Sequence, residues 1–232
     1  DPALKIALPS KSAEVTSVTP DTLTALQTGT YAGTVSGEAP GAGEGFVTVG
    51  DAPRQVTRHY ELDNHVEDVS YTLSGNTLFR GRLSFSGSAF DGTFILPKDI
   101  STAATGGRLS VYLYGQQGND LWEGLGLKEG LIFKGRTENP TDQDGPLISF
   151  GLENRTVETG DNIPENEDLI ITLSDPLGIN ITGEIGHGIR LWAGEEEMDA
   201  VDLTDGFVYD EGSHTSGSVK FSLVNALPGE TT

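Results

Sequence analysis

Apolar and polar residues alternate with a period of two from residue 78 to residue 100, and this pattern constrains the fold more than any other part of the chain. The alternating apolar residues are Phe79, Leu83 and Phe85 before a Ser-Gly-Ser segment, and Phe90, Phe94 and Leu96 after it. Side chains with this spacing share one face of a β-strand, and a segment of small residues lets the chain reverse. The stretch therefore predicts a β-hairpin with one buried face. Pro97 ends it, and Gly81 and Gly92 leave room on that face for a bulge or a large neighbour.

Similar short runs of alternating or β-branched residues recur along the chain, and no window has the period of 3.6 that marks an amphipathic helix. The further predicted strands cover residues 23–36, 46–49, 56–60, 66–73, 109–114, 131–135, 169–173 and 218–224. The 31 glycines fall largely between these runs, which is typical of an all-β protein. The polar segment 137–145 contains a proline and is the best candidate for a domain boundary. The sequence thus predicts a linker and first strand in residues 1–20, followed by two consecutive β-sandwich domains, 21–140 and 141–232.

The chain is strongly acidic, with 35 Asp and Glu residues against 14 Lys and Arg residues and a net charge of −21 over 232 residues. This balance argues against nucleic acid and against an anionic membrane surface as partners, since both need clustered cations. It permits divalent cations or basic partners, and it also fits a surface that serves only solubility. There is no cysteine, so disulfides, zinc–thiolate sites and cysteine nucleophiles are excluded from these residues. No apolar run is long enough to span a bilayer, so direct membrane insertion is not expected.

Aspartate residues at two places in the chain suggest a calcium site. Asp142 and Asp144 lie at the domain boundary, and Asp175 lies in the loop after a predicted strand. If the first strand of the second domain starts where that strand ends, Asp144 and Asp175 converge. Calcium prefers several hard oxygen ligands from loops of this kind. No complete EF-hand series is present, and the alternative interpretation is that these carboxylates are solvated surface groups.

No catalytic constellation can be assembled from the remaining residues. The chain has four histidines, but neither a G-x-S-x-G nor an H-E-x-x-H motif. His187 stands between two glycines, which favours a role in orienting a loop through a hydrogen bond. Four aromatic residues raise the possibility of a carbohydrate-binding platform, but they are few and most of them sit within strand patterns, so core packing is the favoured interpretation. These residues are Tyr112, Tyr114, Trp122 and Trp192.

Five segments of the chain carry a resemblance to a known family. They are residues 1–4 (DPAL), 78–100 with its LFRG start and LPKDI end, 142–148 (DQDGPLI), 173–180 (LSDPLGIN) and 183–189 (GEIGHGI). These segments resemble the region that follows the peptidase domain in gingipain-like cysteine peptidases, most closely the type IX secretion sortases of the PorU type. The likeness covers nearly the whole chain. It departs from the family pattern at Leu177, where a serine is usual, and at Gly188, where an acidic residue is usual.

The resemblance implies that the second domain is Ig-like and that its last two strands are absent from this sequence, so that another chain completes it or its end is poorly ordered. It implies a secreted protein of the bacterial cell surface and outer membrane that cleaves C-terminal sorting signals from cargo and attaches the cargo to the surface. The catalytic His and Cys of the family belong to an upstream domain, and no residue here matches them. The implied partners are that peptidase domain, outer-membrane components of the type IX system, and cargo proteins.

The alternative function is a stand-alone extracellular binding module, either an adhesin or a carbohydrate-binding β-sandwich. A shallow aromatic groove on an exposed sheet would favour this alternative. A flat acidic surface beside an incomplete second sandwich would favour the peptidase segment.

Overall fold

The protein is all-β in the computed structural model, which describes residues 9–37, 41–62, 65–100, 106–134, 144–164, 167–184, 186–192 and 200–223. The strands in these residues are β1 (Lys11–Thr19), β2 (Thr22–Thr24), β3 (Thr28–Val35), β4 (Ala42–Gly50), β5 (Arg54–Leu62), β6 (His65–Leu73), β7 (Thr77–Ser86), β8 (Ala89–Ile95), β9 (Gly107–Gln117), β10 (Asp120–Lys134), β11 (Leu147–Leu152), β12 (Arg155–Val157), β13 (Asp168–Ser174), β14 (Arg190–Leu191), β15 (Val201–Asp202), β16 (Val208–Tyr209) and β17 (Ser216–Ser222). A short 3₁₀ helix spans Thr204–Gly206. Among the described residues, no helix has the length and apolar character needed to cross a membrane.

Seven strands form a closed barrel in the order β7-β4-β9-β10-β1-β3-β8. Most neighbours are antiparallel, but β1 pairs with β10 in parallel, starting at Lys11 and Gly124. The path closes because β7 and β8 pair at Ser86 and Ala89, next to the turn that joins them. The loop of that turn begins with Gly87, whose φ of +80° is the conformation that a two-residue hairpin loop of type II′ needs at its first position.

The predicted hairpin of residues 78–100 is confirmed, and its apolar face lies inside the barrel. All six alternating apolar residues are 8 % exposed or less. The ring of Phe79 occupies the space over Gly81, and the ring of Tyr31 occupies the space over Gly92. The two glycines therefore have the large neighbours that the sequence predicts.

Two strand predictions differ from the structure for identifiable reasons. The predicted strand 23–36 is divided into β2 and β3, because Leu26 has a φ of +62° and its N–H donates to the Leu96 carbonyl at 3.0 Å. The predicted strand 131–135 is only the end of β10. Its first half has leucines on the outside, at Leu125 and Leu127, and glycines on the inside, so the apolar pattern has the wrong phase for a buried face.

The hairpin of β5 and β6 projects from the barrel, and its strands pair only with each other among the described residues. The register places Val56 opposite Tyr71, and Tyr60 and Val69 lie on the same face of the hairpin. The opposite face is polar and includes a 2.6 Å contact between His59 Nδ1 and Asp68 Oδ1. The hairpin is therefore amphipathic although both faces are exposed.

Five of the strands after residue 144 form an antiparallel extension of the barrel sheet, here called the C-terminal sheet, in the order β12-β11-β13-β17-β16, while β14 and β15 pair only with each other among the described residues. It joins the barrel because β16 pairs in parallel with β7 at Tyr209 and Gly81. The buried apolar residues of barrel and C-terminal sheet form one continuous core. The all-β class is confirmed. The division into two β-sandwiches and the missing last strands stay predictions, since most of segment 137–145 and all residues after 223 lie outside the described residues.

Replacing Gly126 with Ala should destabilise the barrel where it closes between β1 and β10. A Cβ at this position would lie 2.6 Å from the Ala13 carbonyl oxygen and 2.9 Å from Val111 Cγ2. We expect Gly126→Ala to lower the free energy of unfolding by about 1–3 kcal/mol, the range for overpacked cores, measured by urea denaturation. Gly145→Ala is the matched control, because nothing lies within 4 Å of its Cβ position. Equal stability of the two variants would contradict this packing.

Candidate functional site

Aromatic rings join the barrel to the C-terminal sheet. Tyr209 stacks on Phe79 with ring centroids 4.5 Å apart and an interplanar angle of 16°. Phe207 meets Tyr209 edge to face at 5.2 Å, and both side chains are 0 % exposed. Phe79 also contacts Phe94 of β8, at 6.2 Å. Tyr209 therefore fills the opening between β7 and β8 at the end away from their turn.

The Tyr209 hydroxyl fixes the turn that follows β13. It accepts a hydrogen bond from the Ile179 N–H at 2.5 Å and donates one to the Ile179 carbonyl at 2.9 Å. Gly178 has a φ of +78°, and a Cβ there would lie 2.6 Å from Ile95 Cγ2, so only glycine fits between this turn and β8. Burial raises the pKa of Tyr209, and the charge of Asp175 adds to that rise. The hydroxyl therefore stays protonated and can both donate and accept.

A polar cluster lies beside these rings. Asp99 Oδ2 is 3.1 Å from His187 Nε2 and 3.5 Å from Asn180 Nδ2. Asn180 Oδ1 in turn accepts hydrogen bonds from the backbone N–H and the hydroxyl of Thr182. His187 thus lies at ion-pair distance from Asp99, and its predicted role in orienting a loop through a hydrogen bond stays a prediction. We call the set Phe79, Asp99, Asn180, His187 and Tyr209 the joint.

The predicted calcium ligands are placed only in part by the structure. Leu147 pairs with Ser174, so Asp144 and Asp175 lie at the same end of the C-terminal sheet, as expected. Asp175 is 9 % exposed, and its Oδ1 accepts the Leu177 N–H at 2.7 Å. Asp142 lies outside the described residues. In the described part of the chain no three His, Asp or Glu side chains form a metal-binding group, so calcium stays a prediction.

The sequence also contains a signal for a structural role of Asp175, which the calcium hypothesis did not use. An aspartate followed by Pro-Leu-Gly is typical of a turn in which the carboxylate accepts the backbone N–H two residues later. The bond to Leu177 is that interaction. The carboxylate also stands beside the Tyr209 hydroxyl, where its charge affects the pKa of the phenol. Asp175 therefore belongs to the support of the joint.

A second site lies on the outer face of the barrel, where three aromatic rings from adjacent strands cluster. Phe46 and Tyr112 are opposite each other on β4 and β9. Tyr114 lies 5.9 Å from Tyr112 and 6.4 Å from Phe46, measured between ring centroids. Arg82 of β7 extends over the Phe46 ring at 5.7 Å. All three rings are partly exposed. We call Phe46, Tyr112 and Tyr114 the aromatic surface.

Carboxylates border the aromatic surface. The Tyr112 hydroxyl donates to Glu123 Oε1 at 2.6 Å, and the Tyr114 hydroxyl donates to Glu44 Oε2 at 3.1 Å. The hydrogen bond to Glu123 is the main cause that raises the pKa of Tyr112. For Tyr114, burial is the main cause of a raised pKa, followed by the hydrogen bond to Glu44. Flat rings beside fixed hydrogen-bonding groups are suited to stacking a polar ring-shaped ligand.

The sequence prediction that the four aromatic residues serve core packing is right for one of them and wrong for the other three. Trp122 is 4 % exposed and packs against Phe85 inside the barrel. Tyr112 and Tyr114 point outward, because they are out of phase with the buried residues of the same strand, of which Leu113 is 0 % exposed. Trp192 is 48 % exposed. The sequence did contain a signal for the outward position of the two tyrosines, because they alternate along β9 with the buried residues.

Comparisons with known proteins do not place the chain in a family. No family model matches it, and no curated protein matches it. Among solved structures, a crystal structure of Spo0M, a sporulation control protein from Bacillus subtilis, aligns over 93 % of this chain and 91 % of that chain with 13 % identity and a TM-score of 0.27. A score this low does not establish a common fold.

Removing the Tyr209 hydroxyl should weaken the joint without removing its ring stacking. In Tyr209→Phe, the buried N–H and C=O of Ile179 lose their partner, which costs about 1–3 kcal/mol of unfolding free energy. Tyr112→Phe is the control, because its hydroxyl bonds an exposed carboxylate and should change stability by less than about 0.5 kcal/mol. Both can be measured by urea denaturation. Similar stability of the two variants would mean that the Tyr209 hydroxyl does not hold this turn.

Proposed function

We propose that this chain is the non-catalytic β-rich support of a gingipain-like cysteine peptidase, of the kind that acts as the sortase of the type IX secretion system. In that role it holds an upstream catalytic domain at the bacterial cell surface. The catalytic domain cleaves C-terminal sorting signals from secreted cargo and attaches the cargo to the surface. The support contributes no catalytic residue, and its partners are the peptidase domain, outer-membrane secretion components and cargo.

The observation that carries this proposal is the convergence of three resembling segments at the joint. Asp99 comes from the LPKDI segment, Asn180 from the LSDPLGIN segment and His187 from the GEIGHGI segment. The three side chains meet within hydrogen-bonding distance of one another through Asp99. Residues that are far apart in sequence and carry the resemblance thus share one physical task, which is to fix one β-unit against another.

The shared core supports a mechanical role. A single apolar cluster runs from the barrel into the C-terminal sheet, and β16 extends the barrel sheet directly through β7. Interfaces built from continuous cores resist relative motion more than small polar ones do. Within this proposal, the two units are two consecutive β-sandwiches of which the second is Ig-like, and β11, β13 and β17 are its central antiparallel strands.

The second candidate is a stand-alone extracellular carbohydrate-binding module, and the aromatic surface favours it. Phe46, Tyr112 and Tyr114 form a shallow platform on an exposed sheet. Aromatic rings stack on the apolar faces of sugar rings, while Glu44 and Glu123 can accept hydrogen bonds from hydroxyl groups. This candidate does not involve the joint, so the two functions can be tested separately.

The peptidase proposal is tested in native cells with an antiserum raised against this chain and a covalent probe for cysteine peptidases. We expect the antiserum to detect a cell-surface protein far larger than 24.5 kDa, the mass of the chain, and the same band to take the probe. Pretreatment with an excess of unlabelled probe is the control and should abolish the label. A band near 24.5 kDa that takes no probe would contradict the proposal.

The carbohydrate proposal is tested by affinity electrophoresis of the purified chain in gels that contain neutral polysaccharides. We expect retardation by at least one polysaccharide, and roughly tenfold weaker binding in Tyr112→Ala, since a lost ring contact of this kind is worth about one order of magnitude. Tyr60→Ala is the control, because Tyr60 is an exposed tyrosine on the β5–β6 hairpin and does not belong to the aromatic surface. Equal effects of both variants, or no retardation at all, would eliminate this candidate.

A further inference from the structure

A cavity of about 240 Å³ lies where β7 and β8 separate, between their turn and the loop after β16. On one side the strands are paired only at Ser86 and Ala89. On the other side Tyr209 fills the opening. The walls include Phe79 from the barrel interior as well as outward-facing polar residues, so the cavity leads from the surface into the barrel wall. Its volume is far above the ~10–15 Å³ that one water molecule needs.

The hydroxyl group of a largely buried tyrosine, Tyr31, faces this cavity. Tyr31 is 3 % exposed, and its ring lies over Gly92, where a Cβ would be 2.6 Å from Tyr31 Cζ. Among the described residues, no side chain or backbone group hydrogen-bonds to this hydroxyl. In the described residues the buried polar side-chain atom without a partner is Trp122 Nε1, so the Tyr31 hydroxyl reaches solvent through the cavity. Its oxygen is therefore available to accept a hydrogen bond from a ligand that enters the cavity.

The mouth of the cavity is negatively charged. Asp91 and Glu211 contribute carboxylates, and the Ser84 hydroxyl donates to Glu211, which fastens the loop after β16 to β7. Burial is the main cause of the raised pKa of Tyr31, and the charge of Asp91 adds to it, so the two groups are close. The one cationic residue of the wall, Arg82, holds its guanidinium 5.7 Å from the Phe46 ring centroid, on the β4 side of β7. A cationic ligand is therefore favoured over an anionic one.

The backbone beside the cavity can also bind a partner. In the described residues, β8 pairs along its length with β3, but its other edge pairs with β7 only at Ala89. The edge at residues 90–92 thus offers backbone groups that no strand occupies. Such an edge can receive an extended peptide by strand addition, in which the peptide backbone supplies affinity and a pocket selects one side chain.

We propose that this cavity binds a lysine or arginine side chain of a partner peptide that lies along the free edge of β8. The cationic group donates hydrogen bonds to the Tyr31 hydroxyl oxygen and to the Asp91 carboxylate, and Glu211 adds a second negative charge. Ammonium and guanidinium groups can only donate hydrogen bonds. Tyr31, Asp91 and Glu211 each present an oxygen atom that can accept one. This binding site is independent of the proposed peptidase and carbohydrate functions, since it uses neither the joint's polar cluster nor the aromatic surface.

The test uses the whole chain and a fluorescein-labelled peptide of alternating Thr and Val with a central Lys, measured by fluorescence anisotropy. The control peptides carry norleucine or Glu in place of Lys. We expect the Lys peptide to bind at least ~10-fold more tightly than the norleucine peptide, the size of one charge-assisted hydrogen bond. Asp91→Asn should remove that difference. Asp120→Asn changes the net charge equally, at an exposed residue of β10 three strands from β7, and should preserve it.

Tyr31→Phe separates ligand binding from folding. The ring stays over Gly92, and the hydroxyl that is removed contacts solvent in the wild-type chain, so we expect an unchanged melting temperature together with weaker binding of the Lys peptide. Unchanged affinity of this variant would overturn the role of the hydroxyl. Equal affinity of the wild-type chain for the Lys, norleucine and Glu peptides, or no binding of any of them, would overturn the proposal as a whole.

Discussion

The stacking of Tyr209 on Phe79 is the contact on which the arrangement of the molecule depends. Phe79 belongs to the barrel core, yet the ring that covers it comes from β16 of the C-terminal sheet. β7 pairs with β4 on one edge and with β16 at Gly81 on the other, so the barrel and the C-terminal sheet meet along one strand. The hydroxyl of the same tyrosine fixes Ile179, so one side chain links barrel wall, sheet and turn.

The structural features that the sequence predicted correctly are those that depend on local periodicity. The hairpin around Gly87, the alternation in β13 and the all-β class all follow from side-chain phase and turn residues. The sequence could not predict closure of the barrel, because the pairing of β1 with β10 depends on glycines that admit a neighbouring backbone, as at Gly126 against Ala13. The sequence also did not predict the first half of β10, where the leucines are exposed although their spacing is that of a buried face.

The candidate sites were less predictable than the fold, since they are made of residues that meet only after folding. The signal for His187 was its glycine neighbours, but nothing in the sequence indicated Asp99 as its partner. In the sequence, Tyr31 has the pattern of an ordinary strand residue. Only the three-dimensional arrangement shows that its hydroxyl faces the cavity between β7 and β8, beside Gly92. In both examples the chemistry depends on contacts between residues about 60 to 90 positions apart, which local patterns do not encode.

The parallel pairing of β1 with β10 also determines the order in which this chain can fold. The Ser10 hydroxyl reaches the Glu123 carbonyl across 113 positions of sequence. Hairpins such as β7–β8 and β9–β10 close short loops and can form early, whereas β1 must wait until the strand that receives it exists. During synthesis from the N-terminal end, β1 can pair early with β3 on one edge, but its other edge has no neighbour until β10 has emerged. In that interval the open edge is available for pairing with other strands.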